Sequence, residues 1–170
     1  MYLLNCFFVY SILGYILEMI FAFAIGAHTP ESGILYGPWT PIYGFASILI
    51  IIISDKLFKN LHLPRWVETI IVAIVLTVVL TGLEWLGGIL IEFIFGFSFW
   101  DYSDAQFNLG KYICLEFALI WVVLSIVFIY VINPFLEKYI KAIPIWLTIV
   151  IGLLMVLDFI IRLLVEFNVL

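Results

Sequence analysis

The chain has 170 residues, of which 66% are hydrophobic and only 11% are charged, and its formal net charge is −5. About a quarter of the residues in a soluble domain are charged, so this composition excludes a soluble domain and predicts a polytopic helical membrane protein. The sequence contains neither a G-x-x-x-x-G-K-[ST] phosphate loop nor a basic run. We therefore expect no nucleotide hydrolysis through that motif and no nucleic-acid partner.

The first predicted span covers residues 2–26. It is longer than the apolar core of a cleavable signal and no Lys or Arg precedes it, so we expect a retained helix. Ser11, Gly14, Glu18 and Ala22 follow at helical spacing and form a small or polar stripe on one face. A carboxylate that faces lipid is costly, so Glu18 is expected to face other helices or water.

An irregular loop is predicted over residues 27–41, because residues 27–44 include three glycines and three prolines. The next span, predicted over 40–57, has a short apolar run. Either its helix extends through Leu57 and Phe58 while Lys56 reaches the surface, or the turn at 37–41 lies below the membrane surface. We expect both to contribute, and irregular backbone at that depth must be buried in protein or line a wet cavity.

The third predicted span, residues 67–95, carries an unusual polar stripe. Spacings of four, three, four and four place its members on one helix face: Thr77, Thr81, Glu84, Gly88 and Glu92. This stripe predicts the wall of a polar cavity, because acids inside membrane spans are functional by default. The alternative is that these side chains only join helices through hydrogen bonds.

A second irregular loop is predicted over residues 96–110, with Trp100, Asp101 and Tyr102 at its centre. An aromatic belt at the membrane interface would explain the rings, whereas Asp101 either caps a turn or contacts a ligand. The fourth span is predicted over 111–133, with Glu116 near its start and Asn133-Pro134 at its end. The fifth, over 144–167, contains Asp158 and Arg162 at i and i+4, where a salt bridge is the simplest expectation. The alternative is that Arg162 also reaches a carboxylate on another helix.

These elements predict an all-α, polytopic transmembrane helix bundle of about five spans, forming a single integral membrane domain over residues 1–170. The basic links at 55–66 and 134–143 are expected to be cytoplasmic, which orients the N-terminus in and the C-terminus out. The loops 27–41 and 96–110 then face outward. In this topology Cys6 and Cys114 lie near opposite surfaces, too far apart for a disulfide.

Six ionisable residues of the spans are expected between the midplane and the outer surface, which predicts one outward-facing polar site: Glu18, Glu84, Glu92, Glu116, Asp158 and Arg162. Arg162 cannot neutralise all five of these acids, so the remaining carboxylates would be protonated, hydrated or matched by a cationic ligand. The candidate ligand-binding residues are Glu18, Glu84, Glu92, Glu116, Arg162, Tyr36, Trp39, Tyr43, Trp100, Asp101 and Tyr102. No Cys/His cluster has zinc spacing, and His28 and His62 lie in loops on opposite sides, so no metal and no cofactor is expected.

Several segments together resemble a known family. They are Gly37-Pro38-Trp39-Thr40-Pro41-Ile42-Tyr43-Gly44, Gly82-Leu83-Glu84, Glu92, Trp100-Asp101-Tyr102-Ser103 and Asn108-Leu109-Gly110, with Gly14 to Glu18 of the first span. Their ordered combination is similar to the bacterial membrane family labelled putative ABC-transporter type IV, or putative ABC transporter permease. The resemblance covers nearly the whole chain and implies a bacterial inner-membrane protein that works with a separate ATPase.

Three functions are compatible with these features. The leading hypothesis is a transporter subunit, either a permease or a small substrate-capturing component, with a carboxylate-rich pocket in the outer half of the bilayer. The short inner links favour the small component, because a permease needs a cytoplasmic surface that receives force from its ATPase. The alternatives are an integral-membrane enzyme acting on a lipid or lipid-linked group at the outer leaflet, and a structural or regulatory membrane protein.

Overall fold

The computed structural model describes residues 1–24 and 34–167, and in these ranges the chain is helical with no β-strand. The helices are α1 (Tyr2–Ala24), α2 (Pro41–Asn60), α3 (Arg65–Phe95), α4 (Leu115–Val127), α5 (Asn133–Lys141) and α6 (Ile145–Glu166). A π-helical segment, Phe128–Ile132, joins α4 to α5. Five of the described helical stretches are long and apolar enough to cross a membrane, with α4, the π-helical segment and α5 forming one stretch. The predicted fold class is confirmed. Residues 25–33, which include the end of the predicted first span (2–26) and the start of the predicted loop (27–41), lie outside the described ranges.

Proline does not end the fourth span, so the prediction that it stops at Asn133-Pro134 is wrong. The Asn133 N–H donates to the carbonyl of Phe128, five residues back, and α5 continues to Lys141. Pro134 has no N–H, and its ring would collide with the carbonyl four residues earlier in a regular α-helix. The wider π-helical turn removes that collision. The helix also begins later than predicted, at Leu115 rather than residue 111.

The chain divides into two compact units, Met1–Ser47 with Lys138–Leu170, and Ile48–Glu137. We call them the terminal unit and the central unit. A single domain over residues 1–170 remains a prediction. In the terminal unit α1 packs against α6, where Phe8, Leu35 and Met155 form an apolar core.

Buried polar side chains also join the two stretches of chain that form the terminal unit, Met1–Ser47 and Lys138–Leu170. The Asn5 amide donates to the carbonyl of Ile140 at 3.1 Å, and the Thr148 hydroxyl donates to the Asn5 amide oxygen at 2.6 Å. These contacts satisfy groups that would be costly if left bare in an apolar interior. In the central unit α3 packs against α4.

The segment 34–40 of the terminal unit lies beside the middle of two membrane-spanning helices. The backbone N–H of Thr40 donates to the carbonyl of Ser11, near the middle of α1, at 2.9 Å. Leu35 packs on Met155, at the middle of α6. We call residues 34–40 the re-entrant segment, because they bring non-helical backbone beside the middle of α1, where α2 begins. The expected extension of α2 past Phe58 is confirmed, since the helix ends at Asn60, and the position of the turn at 37–41 below the membrane surface remains a prediction.

Close helix packing at this depth depends on Gly14. A Cβ on Gly14 would overlap the ring and the Cβ of Tyr43 in the first turn of α2. We expect Gly14→Ala to lower the free energy of unfolding by about 1–3 kcal/mol, the usual cost of overpacking. Gly82 in α3 is the matched control, because a Cβ there meets no atom within 4 Å. Gly82→Ala should be neutral or stabilising by up to about 1 kcal/mol.

Both variants can be compared by unfolding in mixed micelles with increasing SDS, followed by far-UV circular dichroism. If Gly14→Ala is as stable as Gly82→Ala, α1 and α2 do not need this close approach.

Candidate functional site

The candidate residues from the sequence fall into two sets, one in each unit. The terminal unit holds Glu18, Tyr36, Trp39, Tyr43 and Arg162. The central unit holds Glu84, Glu92, Trp100, Asp101, Tyr102 and Glu116. Each set is organised around one buried carboxylate, Asp158 in the first and Glu84 in the second.

Asp158 on α6 anchors the re-entrant segment. Its carboxylate accepts hydrogen bonds from the Tyr36 N–H at 3.1 Å, the Gly37 N–H at 2.8 Å and the Trp39 indole N–H at 2.7 Å. Backbone N–H groups in irregular structure have no helical partner and need an acceptor when water is absent. A carboxylate forms strong hydrogen bonds with N–H donors and can accept several of them at once, so it satisfies these groups.

Arg162 does not form the expected bridge with Asp158. Its guanidinium pairs with Glu166, one turn further along α6, at 3.1 Å. It also lies 3.5 Å from the Tyr36 hydroxyl and 5.7 Å from the centre of the Tyr36 ring. Arg162 has a carboxylate one turn away on either side, Asp158 at i−4 and Glu166 at i+4. Because Asp158 accepts hydrogen bonds from the re-entrant segment, Arg162 pairs with Glu166 and contacts the segment through Tyr36.

Glu18 and Tyr43 complete this region. The Thr40 hydroxyl lies 3.5 Å from a Glu18 carboxylate oxygen, so Glu18 faces the re-entrant segment. Tyr43, which the sequence placed near the outer loop, lies in the first turn of α2 and packs on Gly14. The set therefore joins α1, α6 and the start of α2.

Glu84 is a buried carboxylate of the central unit, 7% exposed. One oxygen accepts from the Trp121 indole N–H at 2.9 Å and the other from the Tyr102 hydroxyl at 3.1 Å. The Tyr102 ring stacks on Phe117, with ring centres 4.7 Å apart. Glu84 thus links α3 to α4 and to the loop between them. Sequence reasoning missed Trp121, although a tryptophan in the middle of a span rather than at its end was an available signal.

Glu92 has a counter-ion within the protein. Both of its carboxylate oxygens lie 2.9 Å from the Lys111 ammonium. Gly88, between Glu84 and Glu92, leaves the space that the Tyr112 ring occupies. The excess of carboxylates over cations is therefore smaller than predicted, because the prediction set the acids against Arg162 alone and did not include Lys111.

The loop 96–114 is held by its own polar groups. Asp101 accepts from the Ser103 N–H at 2.9 Å, and the Asn108 amide donates to the carbonyls of Tyr102 and Ser103 at 3.0 and 2.6 Å. The Ser103 side chain and then its N–H hold the pKa of Asp101 below its usual value. The exposed Asp101 therefore caps a turn here, the first of its two predicted roles. Half-buried Trp100 keeps a buried indole N–H that has no hydrogen-bond partner among residues 1–24 and 34–167. Glu116 is exposed in the first turn of α4.

The described residues show no group of three or more His, Cys, Asp or Glu side chains placed to hold a metal ion. Cys6 and Cys114 are buried, and neither forms a disulfide with a residue in the described ranges. Around Asp158 and Glu84, the side chains that could take part in chemistry therefore carry carboxylates, hydroxyls and indole N–H groups.

Comparison with known proteins identifies one family. A family model described as "Putative ABC-transporter type IV" matches residues 5–167. No curated protein and no solved structure matches the chain.

Proposed function

The chain belongs to the Putative ABC-transporter type IV family, and from that membership we propose that it is the membrane-embedded subunit of a transporter driven by a separate ATPase. The re-entrant segment is the observation that carries this proposal. Non-helical backbone at membrane depth is tolerated only in protein or beside a wet cavity, and interrupted spans are typical of substrate sites in transporters. A protein that only scaffolds helices has no need of such a segment.

The proposed substrate-contacting groups are polar side chains in the outer half of the bilayer. In the terminal unit they are Glu18, Tyr36, Trp39, Tyr43 and Arg162, and in the central unit they are Glu84, Glu92, Trp100, Asp101, Tyr102 and Glu116. Among these, Glu84 is supported best, since it is a buried acid on a membrane-spanning helix whose two hydrogen-bond donors are neutral.

The proposed orientation has the N-terminus in and the C-terminus out, in a bacterial inner membrane. It rests on the basic residues near the links, Lys56, Lys59, Arg65, Lys138 and Lys141. The ATPase would bind at this basic side, where the links are too short to form a soluble domain.

Coupling to an ATPase is directly testable. The chain is co-expressed with a candidate ATPase chosen from the genes adjacent to its own, and the complex is purified into lipid nanodiscs. We expect both chains to elute together and the rate of ATP hydrolysis to change at least about fivefold relative to the ATPase alone, which corresponds to about 1 kcal/mol in the activation free energy.

A variant of the ATPase that lacks its phosphate-loop lysine gives the background rate in the same nanodiscs. If the ATPase hydrolyses ATP at one rate with and without the membrane chain, or the two chains separate, the transporter assignment fails.

A further inference from the structure

A polar cavity of about 330 Å³ lies within the central unit, beside the basic link 55–66. The end of α2, the start of α3 and the π-helical segment enclose it. The π-helical segment contributes Phe128, Ile129 and Tyr130, and Asn133 and Pro134 follow them in the lining. The wide turn that accommodates Pro134 therefore also shapes this cavity, and π-helical turns of this kind are frequent at functional sites.

Arg65 is held at the exposed edge of the cavity from two sides. Its guanidinium lies 4.1 Å from the centre of the Phe58 ring, and it donates one N–H to a carboxylate oxygen of buried Glu68 at 3.4 Å. Glu68 is fixed in turn by the Leu63 N–H at 3.1 Å. A guanidinium has five N–H donors in a rigid fork, so Arg65 keeps donors for a phosphate or a carboxylate in the cavity.

Asp55 places the opposite charge on the wall that α2 provides. Its carboxylate forms no hydrogen bond or ion pair with a residue in the ranges 1–24 and 34–167, so Asp55 and Arg65 are not paired with each other. A carboxylate only accepts hydrogen bonds, whereas an ammonium group only donates them. The cavity thus offers an acceptor for a cationic group and donors for an anionic group, and its apolar lining includes Ile51 and Phe128.

This pair of charges selects a zwitterion. A purely anionic group would be attracted by Arg65 but repelled by Asp55, and a purely cationic group would meet the reverse. Trp66 directly follows Arg65 and is 69% exposed, and tryptophan side chains of membrane proteins collect at the level of the lipid headgroups. A zwitterionic headgroup is therefore the ligand that matches both the charges of the cavity and its place along the helices.

We propose that this cavity binds the phosphoethanolamine headgroup of phosphatidylethanolamine, with the phosphate on Arg65 and the ammonium on Asp55. In the proposed orientation this lipid belongs to the inner leaflet. Free phosphoethanolamine carries the same two charges, so the experiment has to separate the two sources. Arg65 and Glu84 are 19 residues apart on α3, about 28 Å at the helical rise. The site is therefore separate from the acids of the proposed transport function.

Charge variants test the site. Asp55→Asn and Arg65→Gln each remove one of the two charges. Asp104→Asn and Lys56→Gln are the matched controls, because both residues are exposed and neither lines the cavity. Wild type and the four variants are reconstituted into vesicles of equal parts phosphatidylethanolamine and phosphatidylglycerol. They are then extracted in mild detergent and analysed by native mass spectrometry. A second set of samples contains phosphatidylglycerol vesicles and free phosphoethanolamine.

We expect wild type and both controls to retain one phospholipid per chain and to favour phosphatidylethanolamine over phosphatidylglycerol at least about fivefold. Asp55→Asn should lose this preference, because the repulsion of the anionic lipid is gone. Arg65→Gln should retain at least about tenfold less of either lipid. Far-UV circular dichroism should show the same helix content in all five proteins.

The proposal is overturned by wild type that carries no phospholipid or shows no preference, by an unchanged preference in Asp55→Asn, or by equal retention in Arg65→Gln and Lys56→Gln. Wild type that retains free phosphoethanolamine but no phosphatidylethanolamine would identify the soluble compound as the ligand and overturn the lipid. Because none of these readouts involves the ATPase, failure here leaves the transport proposal standing.

Discussion

Asp158→Ala is expected to lower the free energy of unfolding by about 3–5 kcal/mol. The substitution removes the acceptor of the Tyr36, Gly37 and Trp39 N–H groups, and each buried donor left without a partner costs about 1–3 kcal/mol before the segment relaxes. Asp158→Asn should cost about half as much, because the amide keeps one oxygen and replaces the other with a donor. The measurement is unfolding in mixed micelles with SDS.

Two further variants separate this anchoring role from a general effect of charge. Trp39→Phe removes one donor and keeps an aromatic ring, so its cost should fall near 1–2 kcal/mol and should not add to that of Asp158→Asn. Asp104→Asn removes a carboxylate from the exposed part of the loop 96–114 and should change stability little. If Asp158→Ala behaves like Asp104→Asn, the re-entrant segment is not held by this carboxylate.

Glu84→Gln is expected to keep the fold but to reduce the rate of ATP hydrolysis by the reconstituted complex about tenfold, which corresponds to about 1.4 kcal/mol in the activation free energy. The amide is nearly isosteric with the carboxylate. Its oxygen accepts from Trp121, and its NH2 group donates to the Tyr102 oxygen once the hydroxyl rotates. The variant therefore removes the charge and the exchangeable proton of Glu84 and little else.

The complementary variant is Trp121→Phe, which keeps the carboxylate and removes one hydrogen bond. We expect it to destabilise the chain by about 1–3 kcal/mol and to lose less ATP hydrolysis than Glu84→Gln. Asp104→Asn again controls for the loss of one negative charge. A Glu84→Gln complex with wild-type hydrolysis would show that this carboxylate only joins α3, α4 and the loop between them.

Hydropathy and length predicted the five spans because both are local properties of a segment. A run of about 20 apolar residues spans a bilayer whatever its neighbours are, so α1, α3 and α6 match their predicted ranges to within a few residues. The prediction failed where the surrounding backbone cancelled the usual effect of a residue on helix length. Pro134 normally ends a helix, but the π-helical turn before it lets the backbone continue to Lys141.

The partners of the polar residues were beyond sequence reasoning in most cases. Spacing along α6 favoured Asp158 with Arg162, but the donors to Asp158 come from more than 100 positions away in the chain. Glu92 likewise appeared to lack a cation, although Lys111 lies beside it once α3 and the following loop pack together. The sequence showed that these polar groups are costly in lipid, but it did not show which residues form hydrogen bonds or ion pairs with them.

The amino-acid sequence by itself thus determined the membrane class, the number of spans and the polar residues inside them, because transfer of a side chain into lipid depends on that side chain alone. Only the tertiary structure decided that the segment 34–40 re-enters to the middle of α1, that Asp158 holds it, and that Glu84 joins two helices and a loop. The physical reason is that a hydrogen bond or an ion pair needs two groups within about 3 Å of each other. Residues far apart in sequence reach that distance only through the packing of the whole unit.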